Sequence, residues 1–131
     1  MSYYMAATME ADFDEAVART EVALKHEGFG VLTRIDVQQT LKDKIDVDFR
    51  PYTILGACNP VLAHEALQLE DKVGTMLPCN IVVQQKGSGQ VEVAAINPTA
   101  SMQAIDNPQL KKAAEAVREK LSHVIGSLTG R

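Results

Sequence analysis

The chain has 131 residues and contains no tryptophan, and only 5% of its residues are aromatic. Its core must therefore be built from aliphatic side chains, alanine and methionine, and the 46% of hydrophobic residues are enough for one domain without metal or disulfides. Positive charge is also scarce, because 13 Lys and Arg stand against 17 Asp and Glu. Nucleic-acid and anionic-membrane binding need a basic surface, so the composition argues against both.

Long apolar runs are absent as well. No stretch approaches the roughly 18 residues that a membrane-spanning helix requires. The opening segment MSYYMAATMEADFDEA lacks the basic start and the apolar run of a secretory signal. These absences predict a cytoplasmic protein, in which the two cysteines are free thiols. No repeat or linker divides the chain, so we expect a single domain over residues 1–131.

The hydrophobic periodicity and turn signals predict the order β-α-β-α-β-α-β-β-α. This order indicates an α+β fold with one mainly antiparallel sheet and helices packed on one face. The segment KGSG joins the last two strands as a hairpin, since a phosphate loop would lead from a strand into a helix. The clearest helix begins at Pro108 and carries a continuous apolar stripe.

Two expectations concern how the middle of the chain packs. The strand RPYTILGAC is apolar at both sets of alternating positions, which predicts that both of its faces are covered. The helix before it has Val37, Leu41 and Ile45 at helical spacing, which predicts an inner face.

Two cysteines and a histidine are the candidate metal ligands. Zinc and other borderline metals accept thiolate and imidazole, so Cys58, His64 and Cys79 are a candidate set, although their spacing matches no known metal motif. Cys58 also precedes Asn59-Pro60, a typical helix start that would lower the pKa of a nearby thiol. Both cysteines equally suit the core, where a free cysteine behaves as a small hydrophobe.

Three further features bear on binding. Arg50 follows Asp46 and Asp48 closely, so it either pairs with these acids or holds an anionic ligand. The apolar loop pieces Met76-Leu77 and SMQAI indicate an interface or a pocket. One sheet face is expected to lack a cover in the monomer, which favours a two-fold homodimer.

Five short motifs together resemble one protein family. They are Gly28-Phe29-Gly30-Val31, Ile35-Asp36, Phe49-Arg50-Pro51-Tyr52, Gly56-Ala57-Cys58-Asn59-Pro60 and Leu77-Pro78-Cys79-Asn80. In this order they resemble the bacterial and archaeal domain of unknown function 302 (DUF302). The resemblance covers about residues 12–125 and implies a single domain with a TATA-box-binding-protein-like layout. It also implies that Cys79 stands at a position where members of the family typically have a cysteine. The family supplies no established reaction, ligand or cofactor.

The sequence thus predicts a small cytoplasmic ligand-binding protein that forms a homodimer. It favours a binding role over an enzymatic one without deciding between them. Its ligand would be an apolar or anionic small molecule held near the turns 56–60 and 78–80. The candidate ligand-binding residues are Arg50, Cys58, Asn59, Pro78, Cys79 and Asn80. Two alternatives stay open. One is a thiol-dependent protein that binds metal or haem, or carries sulfur or redox equivalents, through Cys58 or Cys79. The other is a structural or interaction module.

Overall fold

The structure is a computed structural model that describes residues 2–129, so residues 1, 130 and 131 of the predicted domain lie outside the described residues. The predicted α+β class and the predicted order of elements are confirmed. A 3₁₀ helix at Asp71–Met76 and a short helix at Pro98–Ser101 add to that order. The elements are β1 (Tyr4–Glu10), α1 (Phe13–His26), β2 (Gly30–Asp36), α2 (Val37–Ile45), β3 (Tyr52–Cys58), α3 (Pro60–Leu69), β4 (Cys79–Gly87), β5 (Gln90–Ile96), α4 (Pro98–Ser101) and α5 (Pro108–Leu128).

Within residues 2–129, five strands form one open antiparallel sheet in the order β1-β5-β4-β3-β2. The first strand therefore pairs with the last one, and β4 lies at the centre. Helices α1 and α5 pack against each other and against one face of the sheet. On that face Leu55, Ile81, Val83 and Val93 are fully buried, because alternate residues of each strand point to the same side.

The prediction that β3 is covered on both faces does not hold within a single chain. Leu55 and Ala57 are completely buried on the face that packs against the helices. Tyr52 and Ile54 point to the other face and are only half-buried. The strand is apolar at these positions although neither long helix packs on that face, so its composition does not report a second layer formed by these helices.

Helix α2 is less well packed than its periodicity predicts. Val37 and Leu41 are half-buried, but Ile45 is 62% exposed. No residue of α2, which the structure describes in full, reaches the core. The start of the helix is capped by Asp36, whose side chain accepts a hydrogen bond from the Gln39 amide at 2.9 Å.

In the part of the chain that the structure describes, the core consists of two clusters of buried side chains. The larger cluster joins the sheet to α1 and α5 and contains Leu24, Leu55 and Leu121. The smaller cluster lies near α3, α4 and the beginning of α5 and contains Val73, Met102 and Leu110. The two clusters meet near the end of the sheet where β3 finishes and β4 begins.

Candidate functional site

The two turns singled out in the sequence lie side by side. The antiparallel register pairs Ala57 with Cys79, which brings the end of β3 next to the start of β4. Asn59 then caps α3, because its side-chain oxygen accepts a hydrogen bond from the Leu62 amide at 3.2 Å. Pro60 occupies the first turn of that helix, as predicted. Cys79 is 7% exposed and Cys58 is half-buried, and both are free thiols.

A small cavity of about 30 Å³ lies between these turns and the helices. One water-sized group needs about 10–15 Å³ of such space, so the cavity holds about two or three of them. Its walls come from the ends of β3 and β4, from α3, from the α4 region and from α5. The lining residues are Phe29, Ala57, Cys58, Asn59, Leu62, Ala63, Ala66, Leu77, Pro78, Cys79, Pro98, Met102, Leu110, Ala113, Ala114 and Val117.

The cavity is electrically neutral. None of the residues that line it in the described part of the chain is an acid or a base. Burial, and secondarily the neighbouring Cys58, raises the pKa of the Cys79 thiol from 9.0 to about 11. Cys79 therefore carries its proton at neutral pH. The Asn59 amide oxygen is occupied by the helix cap. The site offers apolar contacts, the thiols of Cys58 and Cys79, and the thioether of Met102.

Three of the predicted site residues, Asn80, His64 and Arg50, lie away from the cavity. Asn80 points to the opposite face of the sheet and is exposed there. His64 lies on the exposed side of α3 and does not line the cavity, so Cys58, His64 and Cys79 are not gathered around one point. Within residues 2–129 no group of three or more His, Cys, Asp or Glu side chains is arranged to hold a metal ion.

Arg50 is also distant from the cavity, because it precedes β3 while the cavity lies at the end of that strand. A strand of this length spans about 20 Å. The guanidinium lies over the rings of Phe49 and Tyr52, with its carbon 4.4 Å and 5.6 Å from the two ring centres. Its Nε atom donates to the Gln84 side chain at 3.0 Å.

The expected pairing of Arg50 with the nearby acids is not observed. Asp46 and Asp48 both pair with Lys42 instead, at 3.0 Å and 3.1 Å. Lys42 lies one helical turn before Asp46 and its long side chain reaches both carboxylates, whereas Arg50 stacks on the two aromatic rings.

Several cavity residues were missed at the level of sequence. Phe29, Leu62, Val117 and Leu110 come from the turn before β2, from α3 and from α5, and no local pattern joins them to the cysteines. Met102 had one signal, since the apolar segment SMQAI suggested a pocket or an interface. The structure places Met102 in the wall of this cavity.

The fold and site define an open-faced α+β protein with a neutral, sulfur-lined cavity at one end of its sheet. The model of the family described as "Domain of unknown function DUF302" matches residues 5–128. The chain belongs to the DUF302 family, as the sequence motifs indicated.

A solved structure supports the same assignment. It is described as the crystal structure of an uncharacterized conserved DUF302 protein from Bacillus stearothermophilus, and it is 31% identical in sequence. The similarity covers 98% of this chain and 99% of that chain, with a TM-score of 0.90. A comparison with curated proteins gives no match. Within residues 2–129 no helix combines the length and the apolar character needed to cross a bilayer.

Proposed function

We propose that this chain is a cytoplasmic ligand-binding protein that holds a small, uncharged, apolar molecule in the cavity between Cys58 and Cys79. The observation that carries the proposal is the neutral cavity itself. It lies where the turns 56–60 and 78–80 meet, and apolar side chains form most of its wall.

The chemistry of the wall favours the apolar form of ligand over the anionic form. An anion would need a cation or free amides, but no lysine or arginine is among the residues described as lining the cavity. The Asn59 oxygen already accepts from the Leu62 amide of α3, and Arg50 is stacked at the far end of β3. A dry apolar cavity instead binds any small apolar group that fills it, because the lining side chains then make van der Waals contacts that the empty cavity lacks.

The size of the cavity limits the ligand. A volume of about 30 Å³ accommodates a diatomic or triatomic molecule, or the end of an alkyl chain. A larger ligand requires displacement of α3 or of the segment around Met102. These segments belong to the smaller core cluster, whose side chains include Ala66 and Met102.

Native mass spectrometry of the full chain, compared with the same sample after denaturation, tests for a ligand that survives purification. Pressurised xenon provides a second probe, because it binds dry apolar cavities. We expect xenon to shift the amide resonances of residues 57–63 and 77–79 in heteronuclear NMR spectra. If xenon shifts are confined to other parts of the protein, the cavity is not a binding site.

A matched pair of variants distinguishes the cavity from general effects. Ala63→Leu adds side-chain volume to the wall and should abolish the xenon shifts. Ala18→Leu makes the same change on an exposed position of α1 and should leave them intact. Equal xenon response in the two variants would exclude this site.

One observation supports a second candidate, the thiol-dependent protein. Cys58, Cys79 and Met102 all line the cavity, and thiolates and thioethers are the ligands that Cu(I) prefers. The raised pKa of Cys79 works against this candidate, since a metal must displace the thiol proton of Cys79.

Titration with Cu(I) in the presence of a competing chelator tests the thiol-dependent candidate. Binding lost in Cys79→Ser and weakened in Met102→Leu would favour it over the apolar ligand. Haem is far larger than the cavity.

A further inference from the structure

The face of the sheet opposite α1 and α5 carries an apolar row that runs across all five strands. The pairing register aligns one residue from each strand in this row. In the order of the strands they are Ala6, Ala94, Val82, Ile54 and Ile35. Ile35 is 47% exposed, Ala6 is exposed, and the other three are half-buried. A solvated sheet face normally carries polar side chains, so an unbroken apolar row indicates a covered surface.

The row is graded in size from one edge of the sheet to the other. Alanine stands on β1 and β5, valine on the central strand β4, and isoleucine on β3 and β2. A second copy turned by 180° about an axis along β4 would place each isoleucine against an alanine. Val82 would meet the same residue of the partner. Large side chains then face small ones, which is the arrangement that lets two packed layers interdigitate.

The polar residues beside this row are also placed so that complementary groups meet after the 180° rotation about β4. The Arg50 Nε atom donates to the Gln84 side chain at 3.0 Å, and the Gln84 amide donates to Glu92 at 3.3 Å. A positive group therefore stands on the β3 side of β4 and a negative group on the β5 side. The same rotation brings Arg50 of each copy toward Glu92 of the other, so the dimer contains this pair two times. Lys86, the next outward-facing residue of β4, is exposed at the rim.

We infer that the occupant of this face is a second copy of the chain, packed sheet to sheet about a two-fold axis that runs along β4. The size gradient of the row and the placement of Arg50 and Glu92 are both self-complementary about that single axis. A two-fold dimer buries the same patch on both copies, so self-complementarity is the property its surface must have. An unrelated partner would not require it.

Sedimentation equilibrium of the full chain at micromolar concentration tests the inference. The wild-type protein should have the mass of two chains. Val82→Lys places two like charges at the axis and should weaken association by about 100-fold or more. Val61→Lys introduces the same residue at a position of α3 that is 76% exposed, and should not change the mass. Circular dichroism confirms that both variants are folded.

An exchange of sizes tests the axis itself. Ala94→Ile alone should weaken the dimer by opposing isoleucine to isoleucine, and Ile54→Ala alone should weaken it by opposing alanine to alanine. The double variant again places a large side chain against a small one and should recover most of the lost affinity.

An exchange of charges follows the same logic, since Arg50→Glu and Glu92→Arg should each weaken association and together restore it.

Three outcomes would overturn the inference. They are a wild-type chain that stays monomeric at about 100 µM, a dimer that Val82→Lys leaves intact, and double variants no better than the worse single variant. The inference is independent of the cavity, because the two lie on opposite sides of the sheet. Ala63→Leu, which fills the cavity, should therefore dimerise like the wild-type protein.

Discussion

Cys79 is the residue whose protonation is most affected by the fold. Burial raises its pKa from 9.0 to about 11, with a smaller contribution from Cys58. The folded protein therefore holds this proton more tightly than the unfolded chain does. The stability that results is fully present below about pH 9 and is lost as the pH rises toward about 11.

The free energy of unfolding should accordingly fall by about 2 kcal/mol more in the wild-type protein than in Cys79→Ala over that pH window. Urea denaturation at pH values from 8 to 11 measures it. Lysine and tyrosine titrate in the same range, so the difference between the two proteins is the informative quantity. Parallel pH profiles would show that Cys79 does not titrate with a raised pKa.

Gly56 is required by a close approach between neighbouring chain segments. A Cβ atom at this position would collide with the Thr33 Oγ1 atom and lie 2.8 Å from the Pro78 Cγ atom. The Thr33 side chain is exposed and can rotate, but the proline ring is constrained. The glycine therefore allows β2, β3 and the turn before β4 to meet beside the cavity.

We expect Gly56→Ala to lower the free energy of unfolding by about 1–3 kcal/mol because of this overlap. Gly30→Ala is the control, since a Cβ atom there has no heavy atom within 4 Å, and it should change stability by less than about 0.5 kcal/mol. Chemical denaturation measures both. Equal effects would mean that the lost flexibility of glycine, and not the contact with Pro78, determines the cost.

At the scale of elements, Asn107 connects the helices that form the outer wall of the cavity. Its side-chain oxygen accepts from the Gln109 and Leu110 amides at 3.0 Å and 3.1 Å, which caps α5. Its amide nitrogen donates to the Leu69 carbonyl oxygen at 3.3 Å, at the end of α3. One side chain thus begins α5 and ties it to α3.

Two substitutions separate these roles. Asn107→Ala removes both and should cost about 1–2 kcal/mol of stability. Asn107→Ser keeps an oxygen that caps the helix and loses the donor to Leu69, so it should cost less than about 1 kcal/mol. Thermal denaturation compares them. If Asn107→Ser is as destabilising as Asn107→Ala, the bond to Leu69 matters more than the cap.

At the scale of the whole molecule, the cavity lies at the junction of the two core clusters. Its wall takes Phe29, Ala57 and Cys79 from the larger cluster, and Met102 and Leu110 from the smaller one. Helix α5 contributes its first turns to the smaller cluster and its later turns to the larger one, and the cavity remains where the two sets of side chains meet.

Truncation on the two sides of this junction should have different consequences. Met102→Ala and Leu121→Ala should both destabilise the protein by about 2–5 kcal/mol, because each removes a buried side chain. Only Met102→Ala enlarges this cavity, so it alone should strengthen the xenon shifts of residues 57–63 and 77–79. Leu121→Ala opens a separate cavity in the larger cluster, and xenon bound there should shift other residues. An equal gain at residues 57–63 and 77–79 in Leu121→Ala would show that the junction is not special.

The sequence by itself determined the local structure. Asn59-Pro60 and Asn107-Pro108 carry the signals of a capped helix start, and each begins a helix as predicted. The segment KGSG joins two strands, and the motifs of the DUF302 family indicated the fold class. These features depend on backbone preferences and contacts between residues close in sequence, which a single chain displays directly.

Only the tertiary structure decided what those elements bring together. It placed Met102 in the wall beside Cys58 and Cys79, and it stacked Arg50 on Phe49 and Tyr52, away from the cavity. It also left one face of β3 without a helical layer. Such outcomes depend on strand order and on packing between distant segments. The hydrophobic effect that drives this packing is non-directional, so the apolar pattern of β3 records that a residue avoids water but not which surface covers it.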